Sequence, residues 1–297
     1  MVSCPFGAIS DKSQIFQLSH ALRDGDKIIA IVAPAYISQF GDDVTPGKFK
    51  TALQVLGFSD VHEVAFGADV GAISEAHHYA KEVATGNLPF LLTSCCPSWS
   101  MMAKKFFPTM IDNISQELTP MVATARKVKQ EQPDAKVVFI GPCASKKLEA
   151  MRRTVRSDVD FVLTFEELDA MFDAREIDPA SFEEDGSLHD ATAAGRGYAV
   201  AGGVAGAIEA CLKEYYPDVP VHIEHAESLA ECKKVLALAK AGKLNGCMIE
   251  GMACPGGCMG GAGTNVPVAK SSKELKKFLA SCSKKLPPKG LVDIELN

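Results

Sequence analysis

Four cysteines in three separate turns could together bind an inorganic cluster. Cys96, Cys143, Cys254 and Cys258 are separated by 47, 111 and 4 residues. A zinc finger or ribbon takes its ligands from two local pairs within a few tens of residues, so this spacing disfavours zinc. Four thiolates gathered from distant turns are typical of an iron–sulfur cluster inside a preformed fold. The alternative is that all four are buried structural thiols, because free cysteine is often found in cores.

The residues beside these cysteines fit a bound cluster. Pro97 and Pro142 restrict the backbone of two of the turns. The third turn is rich in glycine, with Gly256, Gly257, Gly260, Gly261 and Gly263. Glycine lets the backbone approach an inorganic group without a clash at Cβ, and bare N–H groups can donate hydrogen bonds to sulfide.

Each of these turns follows a predicted strand. The apolar and β-branched runs predict strands over 28–32, 61–66, 89–92, 136–140 and 248–252, and residues 153–190 are predicted to be a polar surface insertion. Helical spacing predicts helices after Pro46 and over 69–84, 98–107, 120–131, 166–174, 206–215 and 227–241. This alternation predicts an α/β fold with parallel sheets, in which strand ends converge on a ligand crevice.

Composition limits the class of protein further. The chain has 297 residues, with 31 Lys and Arg against 37 Asp and Glu, a formal net charge of −6 that argues against nucleic acid as a partner. No apolar run approaches the roughly 20 residues of a membrane span, and no signal peptide precedes the first strand. We therefore expect a soluble, cytoplasmic protein. Four of its ten cysteines lie outside every motif and are predicted to be structural: Cys211, Cys232, Cys247 and Cys282, the last with an exposed thiol as the alternative.

Three segments resemble the signature motifs of the FeFe hydrogenases. They are TSCCPSW at 93–99, PCASKKLE at 142–149 and EGMACPGGC at 250–258, in the order that the family has them. Weaker likeness runs from Ile31 to about residue 264. The resemblance implies an α/β fold of two lobes, each a mostly parallel twisted sheet flanked by helices, with the cofactor buried between them.

The resemblance also implies a division of the chain. Residues 26–297 are expected to be the catalytic domain, with lobes of roughly 26–135 and 136–297. Cys4-Pro5 is similar to the end of a ferredoxin motif whose other cysteines are absent. Residues 1–25 are therefore expected to be a remnant or linker of a truncated ferredoxin-like module.

In this family the cofactor is a cubane four-iron cluster bridged to a diiron unit that carries CO, cyanide and azadithiolate. By motif position, Cys96, Cys143, Cys254 and Cys258 would bind the cubane, and Cys258 would also bridge to the diiron unit. Cys95 would be the thiol that relays protons beside the active iron, although it could also be a second buried thiol.

Other residues of the pocket follow from the same resemblance. Lys146 matches the lysine that meets one cyanide, and the backbone at Pro34 and Ala35 matches the loop around the other, with alanine where many relatives have serine. Met252 would pack near the diiron unit or belong to the ordinary core. Gly141 and Met121 stand where classical relatives have methionine and glutamine, which marks a divergent subgroup.

The resemblance further implies a proton path through Glu75 and Ser115, each 20 residues from Cys95. Relatives carry a second glutamate where this chain has His78, three residues after Glu75 and on the same helix face. Histidine can shuttle protons, but a surface histidine without a role is an equal alternative.

Three functions are compatible with these motifs. The first is reversible H2 oxidation and proton reduction, with a ferredoxin-type electron carrier and maturation enzymes as partners. The second is an H2-sensing module with little turnover, favoured by the altered pocket at Gly141. The third is an iron–sulfur assembly protein that lacks the diiron unit. A nicotinamide enzyme is disfavoured, because no G-x-G-x-x-G motif follows a strand.

Overall fold

Two parallel sheets form the framework. The computed structural model describes residues 11–184, 188 and 190–296. The strands are β1 (Ile28–Val32), β2 (Asp60–Glu63), β3 (Leu91–Leu92), β4 (Lys136–Ile140), β5 (Phe161–Leu163), β6 (His222–Glu227) and β7 (Cys247–Met252). The larger sheet has the order β2-β1-β4-β5 and the smaller one β3-β7-β6, and the neighbouring strands in both sheets run parallel.

Helices cover the faces of these sheets. They are α1 (Ile15–Arg23), α2 (Pro46–Leu56), α3 (Val64–His78), α4 (Pro97–Phe106), α5 (Pro120–Glu131), α6 (Ser145–Ala150), α7 (Phe165–Ala174), α8 (Ala193–Gly197), α9 (Gly203–Tyr215), α10 (Leu229–Lys240) and α11 (Val268–Ser281). Short 3-10 turns lie at Pro34–Tyr36 and Gly257–Gly260, and α3 continues as a π-helical turn over Tyr79–Val83. The predicted α/β fold with parallel sheets flanked by helices is confirmed.

The apolar pattern of the strands explains this layering. All five residues of β1 are fully buried, as expected where helices cover both faces of a parallel sheet. In the smaller sheet, successive residues face opposite cores. Leu91 packs with Met248 on one face, and Leu92 packs with Ile249 and Trp99 on the other.

The sheets correct the predicted lobe boundary. β1 pairs with β4 across residue 135, and β3 pairs with β7, so each sheet contains strands from 26–135 and from 136–297. The two expected lobes therefore interleave, because β4 completes the sheet that β1 and β2 begin. The expected polar insertion at 153–190 is also wrong in part, since it contains β5 of the larger sheet and the buried Phe165 and Phe172 of α7.

The segment before residue 26 is part of the folded unit where the structure describes it. Leu18 of α1 is fully buried in the core of the larger sheet. The Gln14 side chain accepts a hydrogen bond from the Val162 backbone at 2.7 Å. Cys4 lies outside the described residues. No helix among those that are described is both long enough and apolar enough to cross a membrane.

Candidate functional site

The first cysteine turn connects β3 to α4. The Thr93 N–H donates to the Ile249 carbonyl at 3.0 Å, which extends the smaller sheet by one residue. The fully buried Trp99 indole donates to the Thr93 carbonyl at 2.9 Å. Cys96 comes directly before Pro97, the first residue of α4. Hydrogen bonds on both sides of the turn therefore fix the position of Cys96.

The second cysteine turn connects β4 to α6 and meets the first. The Gly141 N–H donates to the Leu163 carbonyl at 3.0 Å, so the turn starts in register with β5. Cys143 lies two residues before Ser145, where α6 begins. The Ser145 and Ser98 hydroxyls are 2.7 Å apart. This contact joins a turn from the larger sheet to a turn from the smaller one.

The third turn follows β7 and requires glycine at two close approaches. Gly257 has a φ of +71°, and a Cβ there would lie 2.5 Å from the Ala201 backbone nitrogen. A Cβ at Gly261 would lie 2.5 Å from the Pro142 carbonyl oxygen. A larger residue at Gly261 would push the third turn away from the second, and one at Gly257 would push the third turn away from Ala201.

The three turns enclose one cavity of about 100 Å³. Ten of the predicted site residues line it: Cys95, Cys96, Cys143, Cys254, Cys258, Pro34, Ala35, Met121, Lys146 and Met252. The other wall residues are mainly apolar, which excludes water from a bound group. Strand ends from both sheets thus bring five cysteines to the wall of one cavity, where Cys258 is exposed and the other four are partly buried.

The donor set suits an iron–sulfur cluster, because thiolates are the usual ligands of such clusters and four cysteines line this cavity. The thiolates of a cubane cluster bind different irons, so they stand farther apart than the ligands of one ion. Burial raises the pKa of Cys254 to about 11 and that of Cys143 above its usual value. Coordinated iron would displace these protons.

Lys146 supplies a positive charge to this apolar wall. Its Nζ donates to Glu149 Oε2 at 2.7 Å and to the Cys95 carbonyl at 3.2 Å. Thr119 donates to the other carboxylate oxygen of Glu149 at 2.6 Å. Burial alone would lower the pKa of Lys146, but Glu149 outweighs it and the pKa is raised. The ammonium therefore stays charged and can bind an anionic group of a cofactor.

Glu75 lies near Cys95 and accepts a hydrogen bond from the Ser115 side chain. Glu75 is buried on α3, and burial raises its pKa to about 8, although a hydrogen bond from Ser115 opposes the shift. Burial and then the nearby Glu75 raise the pKa of Cys95. A carboxyl group with a pKa near neutrality, between a thiol and a hydroxyl, is suited to exchanging protons.

His78 and Gly141 do not line the cysteine cavity. His78 is half-buried and lines a second cavity, described below. At Gly141, a Cβ would lie 2.6 Å from the ring of Phe139, and this ring lines the cysteine cavity. The space that a side chain at 141 would enter is therefore filled by Phe139, a residue that sequence analysis did not select.

Tyr198 is a second residue that sequence analysis missed. It lines the cysteine cavity next to Glu75 and Cys95, and its buried hydroxyl makes no hydrogen bond with the described residues. The sequence offers only a weak signal for it, because it follows the glycine-rich stretch at 195–197 and no motif includes it.

The fold and the donor set define a class of protein. Parallel α/β sheets bring five cysteines and a buried, charged lysine to one apolar cavity, which is a candidate iron–sulfur site. The family model "Iron only hydrogenase large subunit, C-terminal domain" matches residues 26–262, and the chain belongs to this family.

Similar proteins include two hydrogenases of greater length. Iron hydrogenase 1 of Clostridium pasteurianum is 30% identical over 310 residues, which cover 87% of this chain and 54% of that protein. The NADP-reducing hydrogenase subunit HndD of Solidesulfovibrio fructosivorans is 30% identical over 319 residues, which cover 88% and 54%. The chain thus spans about half the length of these relatives.

Two further comparisons concern part of the chain and its fold. The cytosolic Fe-S cluster assembly factor NAR1 of Kluyveromyces lactis is 33% identical over 117 residues, 39% of this chain and 25% of that protein. A variant of the FeFe-hydrogenase HydA1 from Chlamydomonas reinhardtii has a TM-score of 0.73 at 22% identity and covers 92% of this chain and 91% of its own. The structural likeness supports the fold.

Proposed function

We propose that residues 26–297 form the catalytic domain of an FeFe hydrogenase, which interconverts H2 with two protons and two electrons. The observation that supports this most is the buried Glu75 and Ser115 behind Cys95. A path for protons from the cavity wall is needed to make or split H2. A protein that only carries an iron–sulfur cluster does not need such a proton path.

Four cysteines would hold the cofactor. Cys96, Cys143, Cys254 and Cys258 would bind a cubane cluster, and Cys258 would also bridge to a diiron unit with CO, cyanide and azadithiolate ligands. When bound, this group supplies the redox-active iron at which H2 is formed or split. The fit rests on the four cysteines that line one cavity.

The other wall residues orient the group and exclude water. The Lys146 ammonium would bind a cyanide, since its charge is maintained by Glu149. The backbone of Pro34 and Ala35 would lie against the second cyanide. Met121 and Met252 are almost fully buried and would keep water from the open iron.

Protons would enter and leave through this chain's own side chains. The Cys95 thiol holds a proton at its sulfur and exchanges it with the Glu75 carboxyl group, which passes it to the Ser115 hydroxyl. With a pKa of about 8, Glu75 is protonated at neutral pH and can both give and receive. We place His78 beyond the relay of Cys95, Glu75 and Ser115, in the wall of the second cavity.

Electrons would be exchanged with a ferredoxin-type carrier, and maturation enzymes would supply the diiron unit. The nine cysteines of the described residues are all free, which favours a reducing compartment, and we propose the cytoplasm.

Two other functions use the same fold. An assembly protein without the diiron unit is the second candidate, and the similarity to NAR1 over 117 residues favours it. An H2-sensing module is the third, favoured by the Phe139 ring that replaces a side chain at Gly141.

The proposal is tested by loading the protein with iron, sulfide and a synthetic diiron precursor and measuring viologen-linked H2 production. We expect turnover in the wild type and at least a ~100-fold loss in Cys95→Ala with unchanged iron content. Cys247→Ala, outside the cavity, is the matched control. A fully loaded wild type that produces no H2 contradicts the proposal.

A further inference from the structure

A second cavity lies beside the proton path. It has a volume of about 410 Å³, and Ser74 and Glu117, neighbours in sequence of Glu75 and Ser115, are among its wall residues. His77, His78, Lys81 and Glu82 also line it. Unlike the cysteine cavity, it has a wall that is as much polar as apolar, and it has room for several water molecules.

The backbone that carries Glu117 is fixed relative to Ser115. The Ser115 N–H donates to the Leu92 carbonyl at 2.8 Å, which attaches the segment to β3. The Glu117 N–H donates to Ser115 Oγ at 3.3 Å. The Ser94 hydroxyl donates to the Glu117 carbonyl at 3.4 Å. The Ser115 hydroxyl therefore contacts both the Glu75 carboxyl group and the backbone N–H of Glu117, and Glu117 lines the second cavity.

The charge of Glu117 acts on both sides of this segment. Burial is the main cause of the raised pKa of Glu75, and Glu117 adds to it. Burial lowers the pKa of His77, and Glu117 opposes that shift. The other charged groups that face His77 are Lys81 on its own helical segment and Asp293 and Lys289 from the C-terminal segment; His78 and Glu82 line the same cavity.

We infer that Glu117 is the group that transfers protons between Ser115 and the water of the second cavity. In H2 oxidation, Ser115 accepts the Glu75 proton at Oγ while its own hydroxyl proton passes to the Glu117 carboxylate. The resulting carboxylic acid then protonates water or a histidine of the cavity and returns to its ionised form. No electrons move in this step. The inference rests on the proposed function and extends its proton path.

The first test needs no cofactor. The infrared carbonyl band of protonated Glu75, assigned by its loss in Glu75→Gln, is titrated in the unloaded protein. We expect Glu117→Gln to lower the pKa of Glu75, because a negative charge near that carboxyl group is removed. Glu131→Gln removes the same charge from the exposed face of α5 and is expected to leave the band unchanged. An unchanged titration in Glu117→Gln overturns the coupling.

The second test uses the loaded enzyme. We expect Glu117→Gln to lower H2 turnover at pH 7 by at least ~10-fold, with partial recovery in Glu117→Asp and at high concentrations of a small buffer acid. Glu131→Gln is expected to match the wild type. Turnover in Glu117→Gln equal to that of the wild type overturns the inference. A loaded wild type without turnover contradicts the proposed function instead, and the infrared titration then still decides whether Glu75 and Glu117 are coupled.

Discussion

The two cavities on either side of the Cys95–Glu75 pair are built in opposite ways. The cysteine cavity is small and apolar, and backbone contacts at Gly257 and Gly261 fix its shape. The second cavity is about four times larger and has titratable side chains in its wall, among them His77. The difference fits the two proposed roles: the proposed cluster site depends on rigid backbone, whereas the proposed proton outlet depends on water and on groups that change charge.

Of the substitutions that test this difference between the cavities, Gly257→Ala is expected to have the largest effect. Gly257→Ala places a Cβ 2.5 Å from the Ala201 backbone nitrogen at a φ of +71°, so the third cysteine turn must move. We expect at least a ~10-fold loss of bound iron after reconstitution, measured by metal analysis. Gly206→Ala, on α9 with no atom within 4 Å of the added Cβ, is the control and should keep its iron. Equal iron in both variants would show that the turn tolerates a side chain.

Removing Lys146 is expected to destabilise the protein by about 3 kcal/mol, because Glu149 is left buried without its partner. The free energy of unfolding of unloaded Lys146→Met is measured with denaturant. Lys81→Met, in the wall of the second cavity, is the control and is expected to stay within about 0.5 kcal/mol of the wild type. The double substitution Lys146→Met/Glu149→Gln should recover much of the loss. A loss as small as that of Lys81→Met would mean that the buried pair contributes no more than an exposed charge.

A side chain at position 141 is expected to lower the free energy of unfolding by about 1–3 kcal/mol, because it overpacks the site. Gly141→Ala brings a methyl group to 2.6 Å from the Phe139 ring. Adding Phe139→Leu should restore part of this loss, because it removes the clashing ring edge, whereas the close approach to the Ala33 Cβ at 2.9 Å remains. Thermal unfolding of the two variants measures this, and a double variant no more stable than Gly141→Ala would place the strain elsewhere.

Per pH unit, the smallest expected effect is the pH dependence of stability from Glu75. Its pKa is raised from 4.5 to about 8, so the folded protein holds a proton that the unfolded chain has lost between these values. The contribution of this group to the free energy of unfolding is fully present below pH 4.5. It falls by at most about 1.4 kcal/mol per pH unit as the pH rises from 4.5 to about 8. Glu75→Gln should therefore gain stability relative to the wild type from pH 5 to pH 8. A difference that does not depend on pH would mean that Glu75 is not protonated at neutral pH.

The apolar elements could be predicted from the sequence. β1, β4 and α5 have the predicted bounds, because strongly apolar runs or helical periodicity end at clear proline and glycine signals. β6 was missed since it lies at the edge of the smaller sheet with only Ala226 buried, so it lacks an apolar pattern. The lobe boundary was wrong because local patterns do not specify which parallel strands pair.

The site could be predicted wherever a motif marks it. The cysteines and Lys146 share one cavity as the motifs led us to expect, but Tyr198 belongs to no motif and enters through packing. Cys282 was predicted to be structural, with an exposed thiol as the alternative; it is buried, and its sulfur accepts a hydrogen bond from Arg196 at 3.1 Å. Such contacts between residues 86 apart in sequence leave no local signal.

Infrared spectroscopy of the loaded protein, with and without H2, tests the central claim most directly. The protein is supplied with iron, sulfide and a synthetic diiron precursor. We expect sharp CO and cyanide bands that shift when H2 is added, and a loss of the H2 response in Cys95→Ala. A protein that holds a cubane but shows no such bands would contradict the claim and favour the assembly function. Bands that H2 does not move would favour a sensing or inert site.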